Sequence, residues 1–274
     1  KKYDTSFATQ SYIGYIAYKN DAPAAFYGVF PCIVEYDGKK IIAAQSGDTM
    51  THPSHQGKGL FIKLAKMTYE LAKEKGIEFI FGFPNKNSYP GFVKKLNWVH
   101  TENINTYTFK IKTIPLIELA KKLKLTSLYI SYALIFIRRY VSQKTHFNNS
   151  IINNENGGLV HDESFFNYKS YTKKFILEIE DILIWLKLDG RLYIGDIETT
   201  SLEKFEKALK KLKIICFFIG CNKIQFNISP NTYWDKILKK KYKHQNTLPI
   251  GYYNLNSELP LEKIKFTGAD FDTF

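Results

Sequence analysis

The stretch that decides the fold is Ser46-Gly47-Asp48-Thr49-Met50-Thr51-His52-Pro53-Ser54-His55-Gln56-Gly57-Lys58-Gly59-Leu60. It reads as a strand that runs into a tight glycine loop and opens a helix. Backbone N–H groups bunched at a helix start, reinforced by the helix dipole, form a cradle for a pyrophosphate. Glycines at 57 and 59 let the backbone approach phosphate oxygens with no Cβ in the way. Lys58 and Lys63 can add positive charge beside a further phosphate. Two other phosphate motifs do not fit. A Walker loop needs glycine where His52 stands and Ser or Thr where Gly59 stands, and a GxGxxG fingerprint needs glycine where Ile62 stands.

Outward from this stretch, residues 12–51 read as a β-meander: Tyr12–Tyr18, a turn at Lys19-Asn20-Asp21, Ala24–Tyr36, the hairpin turn Asp37-Gly38, then Lys40–Thr51. Pro31 marks a bulge or an edge. From Gly59 onward, Leu60, Phe61, Leu64, Ala65, Leu71 and Ala72 recur at three- and four-residue steps, and Gly76 ends that helix. Ile77–Phe83 is a short buried strand, Pro84 to Tyr89 a loop, Gly91–Leu96 a short helix, and Trp98–Lys112 one or two strands.

Ile114–Lys124 and Ser127–Val141 are helical and mix basic with apolar residues, and Lys144–Gly158 is an Asn-rich loop. The order of the first half then returns. Phe175–Leu186 and Arg191–Ile197 flank the turn Asp189-Gly190, and a helix follows from Ser201. After it come the strand Lys223–Ile228, the helix Asn231–Tyr242 and the strands Ile250–Leu255 and Lys263–Phe271. The expected organisation is α/β (α+β), a tandem pair of units: a ligand-binding domain over 1–113, a helical connector and flexible loop over 114–158, and a second, degenerate domain over 159–274. Any mixed α/β chain can also produce such an order without duplication.

The composition bounds the function. Hydrophobic residues are 45% and charged residues 24% of 274, the balance of a globular chain rather than a disordered one. Leu128–Ile137 is the longest apolar run and is too short for a bilayer, which takes about 20 residues. Cys32, Cys216 and Cys221 suit neither a disulfide framework nor a metal site, so a reduced, cytoplasmic, metal-free protein is expected. The chain opens on Lys1 rather than Met, as if an upstream piece were missing. A net charge of +13 suits an anionic partner or only a lysine-rich surface.

Gln56-Gly57-Lys58-Gly59, preceded by His52-Pro53 and set between a meander and an amphipathic helix, resembles the cofactor motif [Q/R]-x-x-G-x-[G/A] of the GNAT acyltransferase superfamily. Phe83-Pro84-Asn85 through Leu96-Asn97-Trp98 is similar to its second motif, and the resemblance covers about residues 12–112. Gly47–Pro53 with Phe81–Asn85 further resembles the members associated with bacterial cell-surface polysaccharide synthesis. The resemblance implies a largely antiparallel mixed sheet flanked by helices. It also implies transfer of an acetyl or other acyl group from acetyl-CoA to an amine, such as a nucleotide-linked amino sugar or another cell-envelope precursor. The cofactor-binding residues it implies are Met50, Thr51, Gln56, Gly57, Lys58, Gly59, Leu60, Phe61 and Asn85. Asp48 is the first candidate to take the amine's proton and His52 the second, and each can instead be structural. Tyr89 can protonate the leaving thiolate or serve as a packed lid. Three departures stand out: Phe61 replaces the last Gly/Ala and makes a bulkier pocket wall, Asn97-Trp98 replaces Gly-Phe, and Val93 replaces the usual proton-donating Tyr. The second half lacks the motif where Thr199-Thr200-Ser201 enters its helix, so no CoA site is expected there. The basic helices either rest on a membrane surface or pack between domains. Nucleic acid is not an expected partner, and the oligomeric state is not legible. A FemABX-like aminoacyl transferase and a non-catalytic binding module are the competing readings.

Overall fold

A computed structural model describes residues 2–274. Its elements in chain order begin with β1 (Ile13–Lys19), β2 (Ala22–Tyr36), β3 (Lys39–Thr51), α1 (Leu60–Glu74), β4 (Phe79–Gly82) and β5 (Val99–Lys110). Then come α2 (Leu116–Lys122), α3 (Thr126–Ile137), β6 (Gly158–Leu159), α4 (Glu163–Tyr168), β7 (Lys174–Ile179), β8 (Ile182–Leu188) and β9 (Leu192–Glu198). The last are α5 (Leu202–Phe218), β10 (Lys223–Ile228), α6 (Tyr233–Lys239) and β11 (His244–Asn254). The fold is mixed α/β, with mostly antiparallel strands flanked by helices.

The chain forms two compact units. One comprises Lys1–Ile104, Ile152–Val160 and Thr247–Lys265; the other comprises Asn105–Ile151, His161–Asn246 and Phe266–Phe274. In the first unit β1, β2 and β3 form an antiparallel meander. Its turns at Asn20-Asp21 and Asp37-Gly38 take the positive φ that two-residue hairpins require. α1 then returns the chain so that β4 pairs parallel with β3, and β11 adds to β4 antiparallel. Pro31 lies between the pairs that β2 makes with β1 (ending at Val29) and with β6 (starting at Val34), where its missing N–H costs no ladder bond. Leu64, Ala65, Tyr69 and Ala72 of α1 bury against Tyr27, Val29 and Ala44, together with Phe92, Leu96 and Trp98.

The second unit repeats the plan. β7, β8 and β9 form a meander, α5 crosses over, β10 pairs parallel with β9, and residues 105–110 of β5 add to β10 antiparallel. The expected single strand Phe175–Leu186 is in fact broken by a tight turn at Glu180-Asp181, both at positive φ, into β7 and β8. Each unit therefore takes its fifth strand from the other half of the sequence. This differs from the consecutive blocks 1–113, 114–158 and 159–274. Nor is 114–158 one connector: Ile117, Tyr129, Ala133 and Ile137 belong to the second unit's core, while residues 152–160 belong to the first unit.

Candidate active site

β3 and β4 pair only at Ala44↔Ile80 and Gln45↔Phe81. Beyond that point β3 continues to Thr51 against β2 alone, so its other edge opens into a slot. A bulge on β3 between Gly47 and Met50, with Asp48 at φ 54, sharpens the departure. The His52 N–H donates to Ala24 O at 2.9 Å. By antiparallel alternation the neighbouring Thr51 N–H and C=O then point to the open edge, while those of Met50 point to β2. Met50 and Thr51, both expected at the cofactor, are thus distinguished, and only Thr51 offers its backbone to the slot.

The slot leads to the start of α1. Gly57 and Gly59 adopt φ 74 and 73, a conformation that glycine takes freely, and a Cβ on either would meet nothing within 4 Å. Gly59 is the N-cap and has no side chain to bond the first turn. The N–H groups of Leu60 and Phe61 therefore face outward without a cap, as an anion site requires. Lys58 Nζ bonds Ser54 O at 3.1 Å and lies 3.3 Å from His55 Nδ1, which keeps the ammonium on the loop. Gln56 Nε2 reaches back to Thr51 O at 3.4 Å. These backbone groups, the bare N-cap and Lys58 suit a pyrophosphate.

Phe61 does not wall the loop, contrary to the expectation of a bulkier pocket. Its ring turns inward, edge-on to Tyr27 at 5.7 Å and Phe92 at 5.2 Å. A Cβ on Gly91 would sit 2.8 Å from that ring, so Gly91 makes the room for it. The Asp48 carboxylate is held by Lys2 Nζ at 2.8 Å and Tyr3 OH at 2.9 Å. The hydrogen bond to Asp48 raises the Tyr3 phenol above its ordinary value, with burial adding to the effect. His52 caps the short turn at Pro53–His55, its Nδ1 accepting from Ser54 N at 3.3 Å. Asn85 Oδ1 closes its own turn by accepting from Asn87 N at 2.9 Å and Ser88 N at 3.1 Å. Tyr89 OH pairs with His100 Nδ1 at 3.0 Å.

One group of residues at the slot carries no signal that singles it out in the sequence. Trp98 Nε1 donates to Tyr69 OH at 2.8 Å, Tyr69 OH lies 3.0 Å from Tyr27 OH, and Tyr27 OH lies 2.8 Å from Ser46 Oγ. Ser46 follows the last β3–β4 pair and stands where the slot begins. Burial raises both phenols far above their ordinary range. The indole N–H can only donate, which fixes the direction of the Trp98–Tyr69 bond. Tyr69 accepts from Trp98; either oxygen can donate in the Tyr69–Tyr27 and Tyr27–Ser46 contacts, and when each hydroxyl passes on one hydrogen Tyr69 donates to Tyr27 and Tyr27 to Ser46. In that arrangement the Ser46 hydrogen points onward. The available hint is a pair of tyrosines, Tyr27 and Tyr69, at core positions of a strand and a helix.

On the sheet face away from α1, Tyr3, Tyr12, Ile16, Phe26 and Met50 line an apolar depression of about 410 Å³. The Tyr12 hydroxyl is buried there with no hydrogen-bond partner among the described residues.

Solved structures share the fold. A GCN5-related N-acetyltransferase from Kribbella flavida matches with TM-score 0.52 and 15% identity over 87% of this chain and 59% of its own. An Enterococcus faecalis protein described as a probable N-acyltransferase matches with TM-score 0.56 and 12% identity over 93% and 64%. A GCN5-related N-acetyltransferase from Anabaena variabilis matches with TM-score 0.50 and 12% identity over 88% and 62%. The chain thus spans about three fifths of the length of these structures. No curated protein matches it. The stretch that holds the splayed strands and the open helix start, residues 7–101, matches the family model of the acetyltransferase (GNAT) domain.

Proposed function

We propose that the chain is an acyl-CoA-dependent N-acyltransferase that works in the cytoplasm and moves an acetyl group from acetyl-CoA to a small-molecule amine. A nucleotide-linked amino sugar or another cell-envelope precursor is the acceptor class, on the strength of the resemblance at Gly47–Pro53 and Phe81–Asn85. The observation that carries the reading is the open edge of β3 leading into a bare, glycine-bounded helix start. The N–H groups of Leu60 and Phe61, with Lys58, hold the diphosphate, and Gln56, Gly57 and Gly59 shape the loop around it. The Thr51 backbone pairs with the pantetheine amides, with Met50 and Asn85 as further contacts.

When bound, acetyl-CoA supplies the acyl group: a C–N bond forms as the C–S bond breaks, the bond pair goes to sulfur, and the proton lost by the amine leaves the carrier as a free thiol. Asp48 receives the amine's proton in this reading, supported by its bond to Tyr3, which lines the aromatic depression. Ser46 is the donor placed at the slot for the charge that develops on sulfur. Its hydroxyl is oriented by the chain from Trp98, and it stands in for the tyrosine that Val93 replaces. Tyr89, already paired with His100, is the second candidate for that donor.

Calorimetry with acetyl-CoA, followed by thiol release over a panel of amino-sugar nucleotides and simpler primary amines, tests the reading. Saturable binding that Gly59→Val weakens about 100-fold, with thiol released on adding an amine, supports it. Absence of binding to the native sequence overturns it, and binding with no release from any amine reduces the chain to a binding module.

A further inference from the structure

α2, α3 and the end of α5, all in the second unit, expose large apolar side chains on one side. In α3, Tyr129, Ala133 and Ile137 face the core, while Leu128 is 66% and Ile135 59% exposed on the opposite stripe. In α5, Phe217 and Phe218 are 52% and 53% exposed, although the helix buries its other face fully. The stripes adjoin: Tyr132 OH donates to Phe218 O at 2.7 Å, and the Phe136 ring stacks on Phe218 at 5.8 Å. Leu123, at the C-cap of α2, is 57% exposed. The helices leave these side chains exposed. A contiguous apolar face of this kind on a folded chain marks a contact surface.

Its rim decides the partner. Residues 112–141 contain Lys112, Lys121, Lys122, Lys124, Arg138 and Arg139 against one acidic residue, Glu118. Lys121 bonds Asp189 at 3.1 Å, while no acidic partner is seen for Lys122, Lys124 or Arg138 among the described residues. Among those residues no helix is long and apolar enough to cross a membrane. Helices that are apolar on one side and ringed by Lys and Arg lie in the interface of an anionic bilayer. We propose that this face seats the second unit on a membrane surface rich in anionic lipid, with the Leu128/Ile135 and Phe217/Phe218 stripes in the acyl boundary and the basic residues at the headgroups.

Flotation with vesicles of phosphatidylcholine, alone or with about 30% phosphatidylglycerol, tests this without reference to acyl transfer. The chain should float with the anionic vesicles, less so in high salt, and stay behind with the neutral ones. Leu128→Ser with Ile135→Ser, both exposed and therefore neutral to folding, should weaken binding at least about tenfold while acetyl-CoA binding is unchanged. Arg138→Gln with Arg139→Gln should weaken it about fivefold per charge removed. No flotation with anionic vesicles overturns the proposal, as does flotation that the Leu128/Ile135 variant leaves intact. So does a concentration-dependent dimer in light scattering that this variant abolishes, which would assign the face to a second copy of the chain.

Discussion

The third strand of each unit carries a Gly-Asp pair at a bulge shortly before a helix, and the two units use it in opposite ways. At Gly47-Asp48 the strand edge beyond Gln45 is open, the helix start at Gly59 is bare, and Asp48 is half-exposed, held by Lys2 and Tyr3. At Gly195-Asp196 the chain fills the corresponding space itself. A Cβ on Gly195 would meet the Phe274 ring at 2.3 Å, and one on Gly268 would meet Ile194 O at 2.9 Å. Thr267 bridges to Ile228 of β10, and Thr267 and Asp270 close a reciprocal cap. The start of α5 is capped as well, Ser201 Oγ accepting from Lys204 N at 3.3 Å. Such filling leaves two buried carboxylates to be satisfied. Asp196 accepts from Ser150 Oγ at 2.5 Å and Ser150 N at 3.0 Å, and Asp270 bonds His161 Nε2 at 2.7 Å. Burial alone lowers the His161 imidazole, but Asp270 and Asp196 outweigh it and raise it to about 9. The space beside an open strand edge thus becomes a core once a chain segment plugs it and an internal cation balances it.

The largest effect expected from this contrast is at Asp196. Asp196→Ala removes one counter-charge of His161 and strands the Ser150 groups. It should cost the second unit about 3–5 kcal/mol, read by hydrogen exchange of the β9 amides. The same change at the other bulge, Asp48→Ala, should cost under about 1 kcal/mol, because its partners are near solvent. Equal losses would mean that the two sites are not differently built. Next in size is pH. His161 is raised in the folded chain from 6.5 to about 9, so its contribution is complete below pH 6.5 and is lost as pH rises through 9. Exchange protection of the second unit should fall by about 3 kcal/mol across that window. A flat profile in a His161→Gln variant sharpens the assignment, and a flat profile in the native sequence removes it.

The helix starts offer the third test. Gly59→Val places a Cβ in the open cradle and strains a left-handed position, so it should lower acetyl-CoA affinity about 100-fold while costing about 1–2 kcal/mol of stability. Ser201→Ala at the capped start should cost about 1 kcal/mol and create no affinity for CoA. A gain of CoA binding there would show that the cap, rather than the plug, closed the second slot.

What was legible in the sequence was local. The strand, the glycine loop and α1 follow from residues 46–76 because turn chemistry and helical period act within a few residues. Even Phe61 was decidable from phase: it lies on the buried stripe of Leu64, Ala65 and Thr68, although the family pattern suggested a wall of the pocket. The exchange of fifth strands was not legible, because the pairing of Gly251 with Gly82, or of Lys223 with Lys110, leaves no mark on either segment alone. The same holds for His161, whose carboxylate Asp270 is 109 residues away. The hydroxyl chain at Ser46 depends on a tryptophan, two tyrosines and a serine from the loop before β5, from β2, from α1 and from β3, each ordinary in its own stretch.

That hydroxyl chain gives the smallest expected effect and the most pointed one. In the second unit the buried polar cluster is charged and closed: every member faces another. In the first it is neutral and open-ended: the Trp98 N–H donates to Tyr69, and one hydrogen passed on by each hydroxyl runs the bonds toward Ser46. Such a chain cannot carry a proton away, since its far end is an indole that takes none. What it does is hold the Ser46 hydrogen toward the slot and strengthen it as a donor. Ser46→Ala should therefore cost under about 1 kcal/mol of stability yet slow thiol release about tenfold at unchanged acetyl-CoA affinity. Tyr27→Phe keeps the serine but frees its hydroxyl to rotate, so it should slow release less than Ser46→Ala while destabilising more, because Tyr69 loses its acceptor in the core. The thiol of bound CoA should also titrate higher in Ser46→Ala, a change that ultraviolet absorbance of the thiolate records without turnover. If release and thiol titration are unchanged in Ser46→Ala and lost in Tyr89→Phe, the donor is Tyr89. The hydroxyl chain then only satisfies the core, and the two units differ in charge alone.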